Sequence, residues 1–276
     1  MEYSKEELEL LHEHLYMITK EIIRICNKYT LNYFVIGGTA IGVYYWNAII
    51  PWDDDIDIGM PREDYERFLQ IAPNELDNNY FLQWTKTEPH TPFWFAKVRE
   101  NNTLYIESHF KTIKMHHGIF VDIFPFDNIP NSIVLEKVQY HLFGFFNACF
   151  IGKEIWQWKH FGKCEVDVPL KRGFVPCLIT RLVNTIISKN CLYKILCYIQ
   201  TIYNGRGDYY KNIMTKSDKV RILDIQESQR LKFGPLIVAA PNHLKDYLLN
   251  HYGSITKYLP KEQQINHRPS CLEFKL

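Results

Sequence analysis

The chain has 276 residues, enough for one large domain or two small ones, and its 32 Lys plus Arg against 31 Asp plus Glu leave a formal charge of +1. That balance excludes the broad basic field of a generic nucleic-acid binder. Seven cysteines, an odd number without a Cys-x-x-Cys pair, argue against a zinc knuckle or a disulfide framework and for a cytoplasmic, reducing compartment; the polar start and the lack of a long uncharged apolar run predict neither signal peptide nor membrane span.

Residues 5–29 predict an amphipathic helix. Leu8, Leu11, Leu15, Ile18, Ile22 and Ile25 recur at helical spacing, and Ser4 with Glu7 fits a capping box. Tyr33 to Ile36 is a short apolar run that predicts a buried strand, broken by Gly37-Gly38-Thr39 and followed by a helix from Ala40 to Trp46. Ile56-Asp57-Ile58 alternates as a strand does. Pro61 opens a further helix, with Glu63 and Asp64 in its first turn and Tyr65, Phe68 and Leu69 on its apolar face. Strand patterns follow at 80–82, 93–98, 103–106 and 118–124, and Asp127, after Pro125, reads as a turn or cap residue.

The second half changes character. Residues 133–151 and 174–203 are long, apolar and helical in spacing, 204–231 are charged and loop-like, and a strand at 236–238 precedes a helix at 242–251. The expected fold class is α+β: a mixed sheet core flanked by helices, with a helical subdomain in the middle and C-terminal half. The expected division is 1–130, 131–230 and 231–276. Basic residues scattered through the apolar stretches, Lys171, Arg172, Arg181, Lys189 and Lys194 among them, also suit contact with an anionic membrane surface.

Chemistry concentrates in two places. Asp55 and Asp57, two apart on an extended chain, point to one face, where two carboxylates repel and a hard divalent cation relieves the repulsion. Asp122 interrupts the apolar run Gly118 to Phe124, and an acid there needs a partner, either a metal or a Lys or Arg. Gly37-Gly38-Thr39, between strand and helix, can bring backbone N–H groups near a phosphate. Lys97 and Arg99 alternate on a predicted strand and can neutralise phosphate charge from one face. His116, His117 and His267 fit exposed loop positions better than a second metal site.

The run from Gly37-Gly38-Thr39-Ala40-Ile41-Gly42 through Ile50-Pro51-Trp52-Asp53-Asp54-Asp55-Ile56-Asp57-Ile58-Gly59-Met60-Pro61-Arg62-Glu63-Asp64-Tyr65 resembles the LicD family of bacterial phosphocholine transferases, whose core the fukutin-related proteins share. The likeness continues at Phe95-Ala96-Lys97-Val98-Arg99, Asn102-Thr103, Gly118 to Pro125, Leu231 to Gly234 and Tyr247 to Gly253. Between Val43 and Ile49 this chain departs from the family's pattern and carries no basic residue.

The resemblance implies a nucleotidyltransferase-like core in which Asp55, Asp57 and Asp122 bind Mg²⁺ (or Mn²⁺), with Gly37, Gly38 and Thr39 as the glycine-rich turn. It implies transfer of phosphocholine from CDP-choline to a hydroxyl of a cell-surface glycan such as lipopolysaccharide, teichoic acid or capsule, with release of CMP. Two alternatives are transfer of another CDP-linked alcohol phosphate, ribitol or glycerol, and a non-catalytic glycan- or membrane-binding protein. A lipid-linked acceptor would place the protein at the inner face of the cell membrane. Trp46, Trp52 and Trp94 are candidates to hold the trimethylammonium by cation–π contact.

Overall fold

The structure, a computed structural model, describes residues 3–159, 174–264 and 266–275, with the side chains of 156–159 and 174–178 outside the description. Lys171 and Arg172 lie outside the described residues. In chain order the elements are α1 (Lys5–Tyr29), β1 (Phe34–Val35), α2 (Gly37–Trp46), β2 (Asp57–Pro61), α3 (Arg62–Glu75), β3 (Tyr80–Gln83), β4 (Ala96–Glu100), β5 (Leu104–Ile106) and β6 (Phe120–Asn128). Then come α4 (Ile133–Lys159), α5 (Phe174–Ile186), α6 (Lys189–Thr201), β7 (Tyr209–Lys211), β8 (Lys219–Arg221), α7 (Ile222–Gln226), β9 (Gln229–Phe233), β10 (Leu236–Ala240), α8 (Leu244–Tyr252) and β11 (Cys271–Glu273). The fold is α+β, as the sequence predicts.

The first helix forms as its pattern dictates. Ser4 accepts from the Glu7 N–H while Glu7 accepts from the Ser4 N–H, and Leu11, Leu15, Ile18, Ile22 and Ile25 are buried against the sheet and α3. The main sheet runs in the order β1-β2-β6-β4-β3, and the β7–β8 hairpin extends from the far end of β6. The β2 and β6 strands are parallel, and the other pairings are antiparallel. Parallel pairing requires both faces to be covered. Accordingly Ile56, Ile58, Met60, Val121, Ile123 and Phe126 are all buried.

Three expectations are corrected by the structure. The sixth strand does not stop at Phe124; it runs to Asn128 and takes Pro125 and Asp127 with it. Pro125 is tolerated because it falls in a gap: pairing with β4 ends at Ile123, and pairing with β7 begins at Asp127. Asp127 is therefore no cap. Its carboxylate is buried and accepts both Nε and Nη2 of Arg62, at 2.9 and 2.5 Å, with Asn204 adding a third bond. Secondly, 204–231 is not a loop but carries β7, β8, α7 and the start of β9. These strands are too short for their period to be read. Lastly, 174–203 is two helices, because Ser188 caps a new one by accepting from the Cys191 N–H.

Candidate functional site

The register of the sheet builds a row of polar residues across four strands. Asp57 stands opposite Asp122, Asp122 opposite Lys97, and Lys97 opposite Gln83. Side chains alternate along a strand, so residues in register share a face. Asp55 lies two residues before Asp57 and joins the same face. Neither Asp57 nor Asp55 is fully enclosed, whereas Asp122 is buried.

The helix α2 starts at Gly37 itself, so the glycines form its first turn rather than a loop before it. Thr39 accepts the Asp57 N–H through Oγ1 at 2.8 Å, which ties this helix start to β2. A side chain at Gly38 would collide with Asp53: its Cβ would lie 2.8 Å from Asp53 Oδ2. Only glycine admits that carboxylate so close to the helix N-terminus, whose dipole favours negative charge there.

The cluster is electrostatically unfavourable as it stands. Burial, then repulsion from Asp55 and Asp54, pushes the Asp53 carboxyl up to about 8. Burial, then repulsion from Asp54 and Asp122, pushes Asp55 up to about 6. Asp57 is raised well above the usual carboxylate range by burial, Asp55, Asp122 and Asp53, and Asp122 is raised chiefly by burial, with Lys97 opposing. Desolvation is the first cause throughout, and mutual repulsion follows for Asp53, Asp55 and Asp57.

Lys97 is the cation inside this cluster. Its Nζ lies 2.8 Å from Asp122 Oδ1 and 3.5 Å from the centre of the Phe120 ring, with Phe93 at 4.2 Å, and the residue is 2% exposed. Arg99 points the same way but is 0% exposed. Its Nε donates to Gln83 Oε1 and its Nη1 to the Gly118 carbonyl, both at 2.7 Å. The structure thus unites Asp55, Asp57, Asp122, Gly37, Gly38, Thr39 and Lys97, and directs Arg99 into the fold behind them. His116 and His117 are engaged elsewhere, with Asn101 and the Ile113 carbonyl, whereas His267 lies close enough to the acids to oppose the rise at Asp55.

Several residues at the site escape sequence reading. Asp54, between two acids of the cluster, turns the other way and is buried. It accepts from Tyr3 Oη at 2.8 Å, Tyr105 Oη at 3.0 Å and the His267 N–H at 2.9 Å. It thereby pins α1's leading segment, β5 and the C-terminal segment to the acidic loop. From α8, Tyr247 Oη donates to Asp218 at 2.7 Å and accepts from the Gly37 N–H at 3.4 Å. The Tyr252 phenol is pushed up by burial and by Asp218, Asp57, Asp53 and Asp55, which places it beside the cluster. The acid triplet itself was a signal for Asp54, since three consecutive acids on an extended chain cannot share a face. For Tyr247 and Tyr252 the one signal was the family likeness of the stretch from Tyr247 to Gly253, since no spacing pattern singles them out.

Carboxylate oxygens are hard donors of the kind Mg²⁺ and Mn²⁺ take. Among the described residues no group of three or more His, Cys, Asp or Glu is arranged as it stands to hold a metal ion. The donor chemistry nevertheless fits one: repelling carboxylates lie on one face, their proton affinities raised by burial and by one another.

Comparison with known proteins supplies the remaining findings. The family described as LicD/FKTN/FKRP, nucleotidyltransferase domain, matches residues 30–169, just over half of the chain. Lipopolysaccharide cholinephosphotransferase LicD of Haemophilus influenzae is 25% identical over 251 residues, covering 88% of this chain and 89% of that protein. Uncharacterized proteins of Rickettsia typhi and Rickettsia prowazekii are 35% and 37% identical over 72 residues, spanning 26% of this chain and 23% and 27% of theirs.

Proposed function

Because the chain belongs to the LicD/FKTN/FKRP nucleotidyltransferase family, we propose that it transfers phosphocholine from CDP-choline to a hydroxyl of a cell-surface glycan, with Mg²⁺ and with release of CMP. The observation that carries this reading is the register that sets Asp57 beside Asp122, with Asp55 on the same face. Alignment over 88% of the chain with a lipopolysaccharide cholinephosphotransferase supports the choice of group. Asp55, Asp57 and Asp122 would hold the metal, which when bound supplies charge neutralisation at the diphosphate. Lys97 adds a fixed positive charge one strand away from Asp122 and two strands away from Asp57. Thr39 and Gly38 hold Asp57 and Asp53 against the start of α2. The acceptor hydroxyl's proton passes to a carboxylate of the cluster, whose burial raises its affinity for a proton. CMP release from a panel of CDP-choline, CDP-ribitol and CDP-glycerol, with and without Mg²⁺, tests the reading. Turnover of CDP-choline is expected to exceed the others, and equal or greater turnover of another donor would replace it.

The titration of the cluster gives a second test. The folded chain binds more protons than the unfolded one between about pH 4 and pH 8, because Asp55 and Asp53 titrate near 6 and 8. Stability of the metal-free protein is therefore greatest below this window and falls as pH rises through it. Mg²⁺ requires the ionised carboxylates, so its stabilisation grows over the same range. Melting temperatures in EDTA and in Mg²⁺ from pH 5 to 8 are expected to diverge, and parallel curves would remove the acids as ligands.

The acceptor's membrane is the remaining element. Among the described residues no helix is long and apolar enough to cross a bilayer. The outer face of α4 exposes Ile133, Val134, Leu135, Val138 and Leu142, the first two at 69%, and this supports peripheral contact at the inner face of the cell membrane. Sedimentation with anionic liposomes at low salt is expected. Its absence would leave an acceptor that arrives by diffusion.

A further inference from the structure

Beside the acids lies an aromatic cluster that the transfer itself does not use. After Trp46 the chain reverses at Asn47, which adopts φ 50°, and runs back along the helix it has just left. Gly42 permits that return: a Cβ there would meet the Ala48 carbonyl oxygen at 2.5 Å and the Ile50 nitrogen at 3.3 Å. By Asp53 the chain is level with Gly38 again. Trp52 is thus carried alongside α2, and its ring meets that of Trp46 at 5.5 Å between centres and 86° between planes. Tyr45 packs edge-on to Trp46 at 5.7 Å. Both indoles are half-buried.

A cation already occupies this corner. Lys257 Nζ lies 5.7 Å from the centre of the Trp46 ring, on a segment that Tyr45 Oη anchors by donating to the Ile255 carbonyl at 3.2 Å. Trp94 offers nothing comparable, since it is buried among Phe95 and Phe143.

We propose that Trp46 and Trp52 form a subsite for a quaternary ammonium, and that Lys257 is the chain's own cation, which the ligand displaces. The proposal rests on the phosphocholine reading above. A trimethylammonium group offers no hydrogen bond, so it is recognised by aromatic faces and by negative field, and Trp gives the strongest face. The acids supply the field. Side chains on a helix lean toward its N-terminus, so the Trp46 ring covers the turn nearer the acids. From Gly38 to Trp46 the helix rises about 12 Å, a span that the leaning indole and the two-carbon arm between choline nitrogen and phosphate divide between them.

Calorimetric titration of the full chain with CDP-choline, CMP and tetramethylammonium tests this in wild type, Trp46→Leu, Trp52→Leu and Lys257→Met. Melting curves come first; Trp46→Phe and Trp52→Phe, which keep a weaker ring, replace any Leu variant that unfolds. Each Leu variant is expected to weaken CDP-choline and tetramethylammonium by about two- to thirtyfold and leave CMP unchanged. Lys257→Met is expected to tighten tetramethylammonium. Equal losses for CMP and CDP-choline, or no loss, would overturn the subsite. Tetramethylammonium binding that needs both indoles, in an enzyme that turns over a different CDP-alcohol, would keep the subsite and sink the reaction. Turnover of CDP-choline with cation binding indifferent to both indoles would do the reverse. Phosphatidylcholine vesicles form the last arm: co-sedimentation lost in Trp52→Leu would overturn assignment to the soluble donor.

Discussion

Asp57→Asn and Asp55→Asn are each expected to lower CMP release by at least about a hundredfold while the metal-free protein melts at the same temperature or higher. The two effects share one cause. Each acid is held among other acids, with its proton affinity raised by burial and by its neighbours. An amide of nearly the same size removes one charge from that repulsion and one ligand from the site. The Asp57 N–H keeps its bond to Thr39, because that bond belongs to the backbone. The gain in melting temperature on adding Mg²⁺ should shrink in both variants. A variant that melts lower and still turns over at near wild-type rate would remove that residue from the site.

Asp54→Ala is expected to destabilise the fold by about 3 kcal/mol, a fall of roughly 6–12 °C in melting temperature for a chain of this size. Its carboxylate accepts two phenols and a backbone N–H from segments far apart in the chain. Removing it strands the buried Tyr105 hydroxyl, which keeps only a 3.2 Å bond to the His267 carbonyl and a long contact from Tyr3. Asp54→Asn retains an acceptor oxygen and should lose less. Activity should drop in Asp54→Ala as well, since Asp53 and Asp55 flank the released residue. Thermal melting decides it: a fall under about 2 °C would show that the three bonds add nothing.

What the sequence disclosed about this site follows from distance along the chain. Asp55 and Asp57 are two residues apart, so strand alternation alone predicted a shared face. Asp122 was legible as a lone acid in an apolar run. Its neighbours were not, because the register that sets it between Asp57 and Lys97 joins strands that are distant in sequence. The same limit hid the second role of the acidic run. The partners of Asp54, namely Tyr3, Tyr105 and His267, come from segments far apart in the chain and leave no mark on the acidic run itself. Asp127 was misread for a different reason: Pro125 normally ends a strand, and only the staggered ends of β4 and β7 show why it does not here. Tyr247 and Tyr252 reach the start of α2 from a helix some 200 residues later, beyond any local pattern.

The row Asp57–Asp122–Lys97–Gln83 also sets how the gene can change length. Adding or deleting a single codon inside β2 or β6 would turn the downstream side chains of that strand to the opposite face. Apolar residues would then enter the cleft and acids the core. A change of two codons preserves the facing and shifts the row by one rung instead. Length variants of this chain that survive in either strand should therefore differ from it by even numbers of residues, while the connecting loops accept odd and even alike.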